Sequence, residues 1–355
     1  MNLELTHPAP ARTTVASPEA VRIERGRRTG QMIIVSIDST RLGPALGGCR
    51  IKVYPTWRDG LTDALRLSAA MTEKAALAGL AHGGGKTVVA LEPGTAAEFT
   101  GPRRKELLAD VADLVHGFDG GYFTGPDVGS TPADMVDIGR GTSVALCRPE
   151  PDGSGDSSGP TATGVIASIE AVREHALAGR PLAELRFALI GLGHVGALVG
   201  AHLAAAGATL TVTDVDPARQ ALARSWAATW VEPDEALFAD VDVVVPAAVG
   251  GLLTADVVAA LRCRAVVGPA NNQLDDDRTA TLLHERGICW APDTVVSAGG
   301  IVSAVARELQ AASPREADRQ VRDIGRRLGE ILAEAAAHDT PPLTQARRRA
   351  QQRLR

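Results

Sequence analysis

Apolar residues change their spacing twice along this chain, and the changes divide it. Two runs of strand character come first, Met32–Ile37 and Cys49–Val53. Gly43-Pro-Ala-Leu-Gly-Gly48 between them reads as a turn. From Gly60 to Ala78 apolar positions recur at helical spacing, with Leu61, Leu65 and Ala69 on one stripe and Gly79 as the stop. Lys74 then falls near the end of that helix. Gly83-Gly84-Gly85 leads into a short buried strand, Thr87–Leu91, with Lys86 at its mouth. In the second half, short apolar runs alternate with helical patterns: Phe187–Ile190, Leu210–Thr213, Val241–Val245, Ala265–Val267 and Ile288–Trp290. That alternation predicts a parallel, doubly wound sheet. From Val302 the pattern is helical, and its basic end, Arg347–Arg355, reads as a solvated helix terminus. Residues 1–17, rich in Pro, Thr and Ala, are expected to fray.

The sharpest break in composition is Glu150-Pro-Asp-Gly-Ser-Gly-Asp-Ser-Ser-Gly-Pro160, which reads as an interdomain hinge. The expected architecture is therefore α/β with two domains. Residues 1–155 are expected to form an α/β domain and residues 156–312 a doubly wound one. Residues 313–355 are helices that pack back on the first. A chain of 355 residues accommodates both cores.

Composition removes several function classes. A formal net charge of −5 gives no footprint for nucleic acid. No apolar run reaches membrane-spanning length, and the first thirty residues lack the apolar core of a secretion signal. Cys49, Cys147, Cys263 and Cys289 show no CxxC spacing and read as reduced core residues, so the expected compartment is the cytoplasm. The scattered histidines form no metal pattern, and no metal is expected.

Lysine usage changes the picture. Of 37 cationic residues only Lys52, Lys74, Lys86 and Lys105 are lysines. Arginine serves wherever charge alone is needed, so a retained lysine marks chemistry that guanidinium cannot do. A desolvated ammonium can lose its proton and act as a base, whereas guanidinium stays protonated. Lys74 and Lys86 are the candidates; Lys52 and Lys105 lie in charged, solvated surroundings.

Gly191-Leu-Gly-His-Val-Gly196 follows a strand and opens a helix running to about Ala206, and a second strand then ends at Asp214. In that context the glycines admit a pyrophosphate at a helix N-terminus. The Asp214 carboxylate suits free ribose hydroxyls and repels a 2′-phosphate, which favours NAD over NADP. Later strands end in Pro246-Ala-Ala, Pro269-Ala-Asn-Asn-Gln273 and Pro292-Asp-Thr, at the strand ends where such sheets bind ligands. Asn271 and Asn272 suit either a polar ligand or a self-satisfied asparagine turn.

Six motifs occur in the order of one family: Gly43–Gly48, Met71-Thr-Glu-Lys-Ala-Ala-Leu-Ala-Gly-Leu80, Gly83-Gly-Gly-Lys86, Tyr122-Phe-Thr-Gly-Pro-Asp-Val-Gly129, the glycine motif, and Ala270-Asn-Asn-Gln-Leu274. From about Leu42 to Leu309 the chain resembles the glutamate, leucine, phenylalanine and valine dehydrogenases. The look is closest to the valine, leucine and phenylalanine members. The resemblance implies reversible, NAD-dependent oxidative deamination of a small-molecule L-amino acid to its 2-oxo acid and ammonia by a homo-oligomer. It implies substrate binding and oligomerisation for residues 1–155 and a Rossmann-type dinucleotide-binding domain for residues 156–312. It implies Lys86 as general base and Asp127 as proton shuttle. Lys74 would hold the substrate carboxylate beside Gly47 and Gly48, and Asn272 the amino group. Leu46, Gly125, Ile301 and Ala304 would line the side-chain pocket. Gly191, Gly193, His194, Val195, Gly196, Asp214, Ala247, Ala270, Asn271, Asn272 and Ser297 would meet the cofactor. Read without the family, Asp127 could equally cap the helix that starts near Thr131.

The chain departs from the family pattern at Ser297, where an asparagine is usual, at Ser303, and at Pro246-Ala-Ala248, where the family has Pro-Cys-Ala. Serine is shorter and lacks the amide, so a contact near the nicotinamide is expected to weaken. Small residues at 125 and 304 favour a larger hydrophobic or aromatic substrate such as phenylalanine, with leucine or valine second; each methylene is worth about 1 kcal/mol or more. Two other readings stand beside this one: a dehydrogenase for an unusual amino acid or imine in a specialised pathway, and a non-catalytic dinucleotide-binding regulator.

Overall fold

The computed structural model describes residues 17–355. Apart from Ser17, the segment expected to fray lies outside the described residues. The first domain is built on a five-stranded mixed sheet: β1 (Ala20–Arg25), β2 (Met32–Ser39), β3 (Ala45–Val53), β4 (Gly83–Leu91) and β5 (Tyr122–Pro126), in the order β1-β2-β4-β3-β5. β1 and β4 run antiparallel to β2, while β3 is parallel to both β4 and β5. Helices α1 (Trp57–Leu77), α2 (Gly101–His116) and α3 (Pro132–Gly139) complete this domain, and α4 (Ser158–Ala176) follows the hinge segment.

Six parallel strands make the second sheet, as the alternating pattern predicts. They are β6 (Arg186–Ile190), β7 (Thr209–Thr213), β8 (Thr229–Trp230), β9 (Val243–Pro246), β10 (Ala265–Val266) and β11 (Cys289–Trp290), ordered β11-β10-β9-β6-β7-β8. α5 (His194–Ala205) follows β6. Short helices α6 (Gln220–Ser225), α7 (Pro233–Leu237), α8 (Ala255–Ala260), α9 (Arg278–Glu285), α10 (Asp293–Val296) and α11 (Gly299–Ala304) accompany the later strands. A π-helical turn over Val305–Leu309 leads to α12 (Pro314–His338) and α13 (Pro342–Arg353). α12 lies so close along α4 that a Cβ on Gly325 would stand 2.5 Å from the Ala167 carbonyl oxygen. α13 reaches α1, where Arg353 donates to the carbonyls of Ala76 (3.1 Å) and Leu80 (3.2 Å). One hydrophobic cluster runs from Leu46 and the end of α1 through Val165 and Leu189 to α12. No helix among the described residues is long and apolar enough to cross a membrane.

Four expectations need correction. Gly43–Gly48 is a turn only as far as Pro44, because β3 begins at Ala45. Its glycines serve close approach rather than turning: a Cβ on Gly47 would overlap the Gly85 carbonyl, and one on Gly48 would sit 2.7 Å from Asp127 Cβ. For the same reason the three glycines at 83–85 belong to β4, which makes Lys86 an interior strand residue opposite Ser36 rather than the mouth of a strand. A Cβ on Gly84 would overlap the Thr72 backbone of α1.

The face that α1 buries is also not the Leu61, Leu65, Ala69 stripe but Gly60, Ala64, Leu67, Ser68, Thr72 and Ala75. Small size, not hydrophobicity, selects that face, since it must meet a glycine-rich strand. Finally, Ser158–Pro160 of the expected hinge already form the first turn of α4.

Candidate active site

The carboxyl ends of β9, β10 and β11 face the first sheet across a cleft of about 420 Å³. Leu46, Gly47, Gly48, Lys74, Lys86, Gly125 and Asp127 line it from the first domain, and Val195, Ala247, Ala270, Asn271, Asn272, Ser297, Ile301 and Ala304 from the second. Gly191, Gly193, His194, Gly196 and Asp214 lie apart from these, around the glycine turn, which adjoins the cleft through Val195 and Ala247.

At the floor of the cleft the Lys86 Nζ stands 2.7 Å from Asp127 Oδ2. Lys86 is held there by the ladder of β4, and Asp127 by the residue that follows β5. Burial pushes the Lys86 ammonium below its ordinary range, against the attraction of Asp127, and the positive Arg50 pushes the same way. Burial alone would raise Asp127, but Lys86 and Arg50 overcome it and hold its carboxyl at about 2. The pair thus joins an acid that is ionised at rest to a lysine tuned toward release of its proton. Asp127 does not cap the next helix. Thr131 does, accepting from the Asp134 backbone N–H at 3.3 Å.

Lys74, in the last turn of α1, spans the cleft. Its Nζ donates to Asn271 Oδ1 and to Ser297 Oγ, both at 2.9 Å. Burial lowers this lysine too, offset by Asp293 and reinforced by Lys86. Ser297 donates to the Asp293 carbonyl (2.6 Å) and lies 3.1 Å from Asn271 Oδ1. The asparagine turn is therefore not self-satisfied, because Asn271 takes its partners from Lys74 and Ser297. Asn272 holds a left-handed φ of 53° and donates its backbone N–H to the buried Asp293 carboxylate. The serine at 297 thus places its hydroxyl against Lys74.

The glycine turn fits a dinucleotide. Gly191 has φ 103°, and a Cβ there would strike Ala248 at 2.7 Å; one on Gly196 would overlap the Gly191 carbonyl; one on Gly193 would meet only open space. That open side lies at the N-terminus of α5, where unpaired N–H groups favour a phosphate. Asp214 Oδ2 accepts from the Leu192 N–H at 2.6 Å, and its Oδ1 from Asp216 at 2.9 Å, so the carboxylate that closes β7 also braces the turn. Among the described residues no group of three or more His, Cys, Asp or Glu side chains could hold a metal ion.

Several lining residues escaped the sequence reading. Phe123, Leu146 and Cys147 add to the apolar side of the cleft, and Asp293 underlies it. Arg50 is the most consequential, with its Nε 2.9 Å from Asp127 Oδ2. It is hidden among 33 arginines, but one signal was available: two positions after Gly48 on a strand, it must share the face of that glycine.

Comparison with known proteins agrees with this geometry. The model described as Glu/Leu/Phe/Val dehydrogenase, dimerisation domain, matches residues 20–143, and the Glutamate/Leucine/Phenylalanine/Valine dehydrogenase model matches residues 218–354. The chain is 37% identical to a phenylalanine dehydrogenase of Caldalkalibacillus thermarum over 328 residues, which cover 90% of this chain and 87% of that one. It is 34% identical to a leucine dehydrogenase of Geobacillus stearothermophilus, over 95% of this chain and 90% of that one. The crystal structure of an L-tryptophan dehydrogenase from Nostoc punctiforme superposes with a TM-score of 0.80 at 32% identity, covering 95% of this chain and 96% of that one.

Proposed function

Since this chain belongs to the glutamate, leucine, phenylalanine and valine dehydrogenase family, we propose that it oxidatively deaminates a large hydrophobic or aromatic L-amino acid, with NAD as oxidant. It would act in the cytoplasm as a homo-oligomer. The observation that carries the reading is the Lys86–Asp127 pair, buried at 2.7 Å in the same cleft as Lys74.

Each residue has a task set by its chemistry. The Lys74 ammonium pairs with the substrate carboxylate near the Gly47 and Gly48 backbone, exchanging Asn271 and Ser297 for it. Asp127 takes a proton from the substrate amine and later returns one to the departing ammonia. Lys86, in its neutral form, takes a proton from the water that attacks the iminium carbon. Asn272 orients the amine. A dinucleotide held through its pyrophosphate at the glycine turn would supply the two-electron oxidant. In this reading the first sheet carries the proton chemistry, and the second holds the cofactor.

Pocket shape supports a bulky substrate. A Cβ built on Gly125 would approach Cys147 Sγ and the Leu146 carbonyl no closer than 3.9 Å, so the glycine leaves free a volume that a side chain could occupy without overlap. Leu46, Phe123, Ile301 and Ala304 continue an apolar wall. Following NADH absorbance with a panel of L-amino acids tests both activity and size. Expected kcat/KM falls from phenylalanine to leucine to valine, by a factor of roughly ten for the methylene lost between leucine and valine, with glutamate poorest. A preference for valine over phenylalanine would defeat the pocket argument. No rate on any amino acid, with NADH binding intact, would favour the specialised substrate or the regulator instead.

Cofactor choice gives a separate prediction. A carboxylate at the end of β7, as Asp214 supplies, would repel a 2′-phosphate bound beside it, so NAD is expected to exceed NADP in kcat/KM by at least about tenfold. Asp214→Ser should narrow that ratio, while weakening both cofactors because the brace on Leu192 is lost. An unchanged ratio would assign the discrimination to another residue.

A further inference from the structure

We infer that Arg50 is the positioning residue of this site, a fixed cation that aims the Asp127 carboxylate and sets the proton balance of the Lys86–Asp127 pair. The inference rests on the amine chemistry assigned above to that pair.

The guanidinium is clamped at two edges. Its Nε donates to Asp127 Oδ2 at 2.9 Å, and its Nη1 donates to Asp63 Oδ2 at 2.9 Å. Asp63, on α1, is itself held by the Tyr54 hydroxyl (2.7 Å, to Oδ2) and by Arg66 (2.8 Å, to Oδ1). A planar fork fixed in this way has one orientation, which an ammonium on a flexible stem does not reproduce. Lys86 reaches the same oxygen of Asp127, so both cations bind Oδ2. Among the described residues Oδ1 has no protein hydrogen bond. Two cations on one oxygen stop the carboxylate from rotating and present the other oxygen to the amine.

The charges sit where water screens them little. Side-chain exposure is 16% for Arg50, 13% for Asp63, 7% for Lys86 and 21% for Asp127. Lys86 is faced by Arg50 from β3, by Asp127 after β5, and by Asp63 and Lys74 from α1. Two more groups nearby stay neutral at working pH. Burial lifts the Cys49 thiol to about 12 and raises the Tyr122 hydroxyl as well. Among these groups Arg50 alone holds a positive charge that does not titrate. Its repulsion disfavours the ammonium form of Lys86, and its attraction keeps Asp127 ionised.

The test is the pH dependence of kcat and kcat/KM for the full chain, Arg50→Gln and Arg50→Lys, on the best substrate of the panel, with NADH binding measured alongside. Arg50→Gln removes clamp and charge. Its kcat should fall about 10- to 100-fold with little change in KM or NADH binding. The acidic limb of kcat/KM should move upward by about one pH unit, a tenfold loss at any pH on the limb. Arg50→Lys keeps the charge but not the clamp, so its limb should stay near the wild-type position while kcat remains low. Wild-type kcat and an unmoved limb in both variants would overturn the inference. So would a limb that moves equally in both, since charge would then not set it. If Arg50→Gln fails to fold in a thermal melt, Arg50→Lys still decides, through loss or retention of kcat. An active wild type with unaffected variants refutes Arg50 alone, whereas a wild type inactive on every amino acid refutes the amine reading and this inference together.

Discussion

Lys86→Met should lower kcat by about 10²–10⁴-fold, the range lost when a general base is removed, and leave NADH binding unchanged. Methionine fills the buried volume without a basic atom. Folding should survive the change, because a desolvated charge is removed and Asp127 keeps its contact with Arg50. In the wild type, deamination should quicken with rising pH as the lowered Lys86 loses its proton, and that limb should vanish in the variant. Lys86→Arg should not restore activity, because guanidinium holds its proton throughout the working range. A loss smaller than about tenfold would remove Lys86 from the proposed role.

Asp127→Asn should be comparably damaging to turnover and should also destabilise the fold. The amide cannot carry a proton to or from the amine, and it leaves the Lys86 cation buried without its counter-ion, while Arg50 keeps only Asp63. Breaking such a pair costs about 3 kcal/mol, visible as a lower Tm. The pH dependence has a definite sign. With the native carboxyl held at about 2 and the unfolded one near 4, the contribution is fully present above about pH 4 and is lost as pH falls through about 2. Wild type and variant should therefore converge in stability in strong acid. They should also draw together at alkaline pH, where Lys86 in the variant sheds its charge and the unpaired cation disappears. A difference in Tm that stays constant from pH 3 to pH 10 would contradict the ion-pair account.

Much of the cleft was legible beforehand. Lys86 and Lys74 stood out because lysine is so rare here, and both line the cleft in the structure. The glycine motif was readable because its chemistry is local: a strand, a tight turn and a helix start lie within a few residues of one another. Arg50 and Asp63 were not legible, since their importance comes from partners at 127 and 50 that only folding brings near. Ser297 was noticed as a shortened side chain, but its partner Lys74 was not foreseen. Its contact with Lys74 joins residues more than two hundred positions apart.

The sequence by itself determined the α/β class, the parallel second sheet and the residue types able to do the chemistry, because apolar periodicity and side-chain ionisation are properties of short segments. Tertiary structure decided what the glycines are for. In a linear reading Gly43–Gly48 and Gly83–Gly85 are breaks; packed together, Gly47, Gly48 and Gly83–Gly85 are strand positions whose missing side chains let β3, β4 and α1 approach. That approach sinks Lys86 into the sheet and sets it against Asp127 and Arg50. Burial and charge proximity, the two quantities that turn a lysine into a base, depend on distances between remote residues.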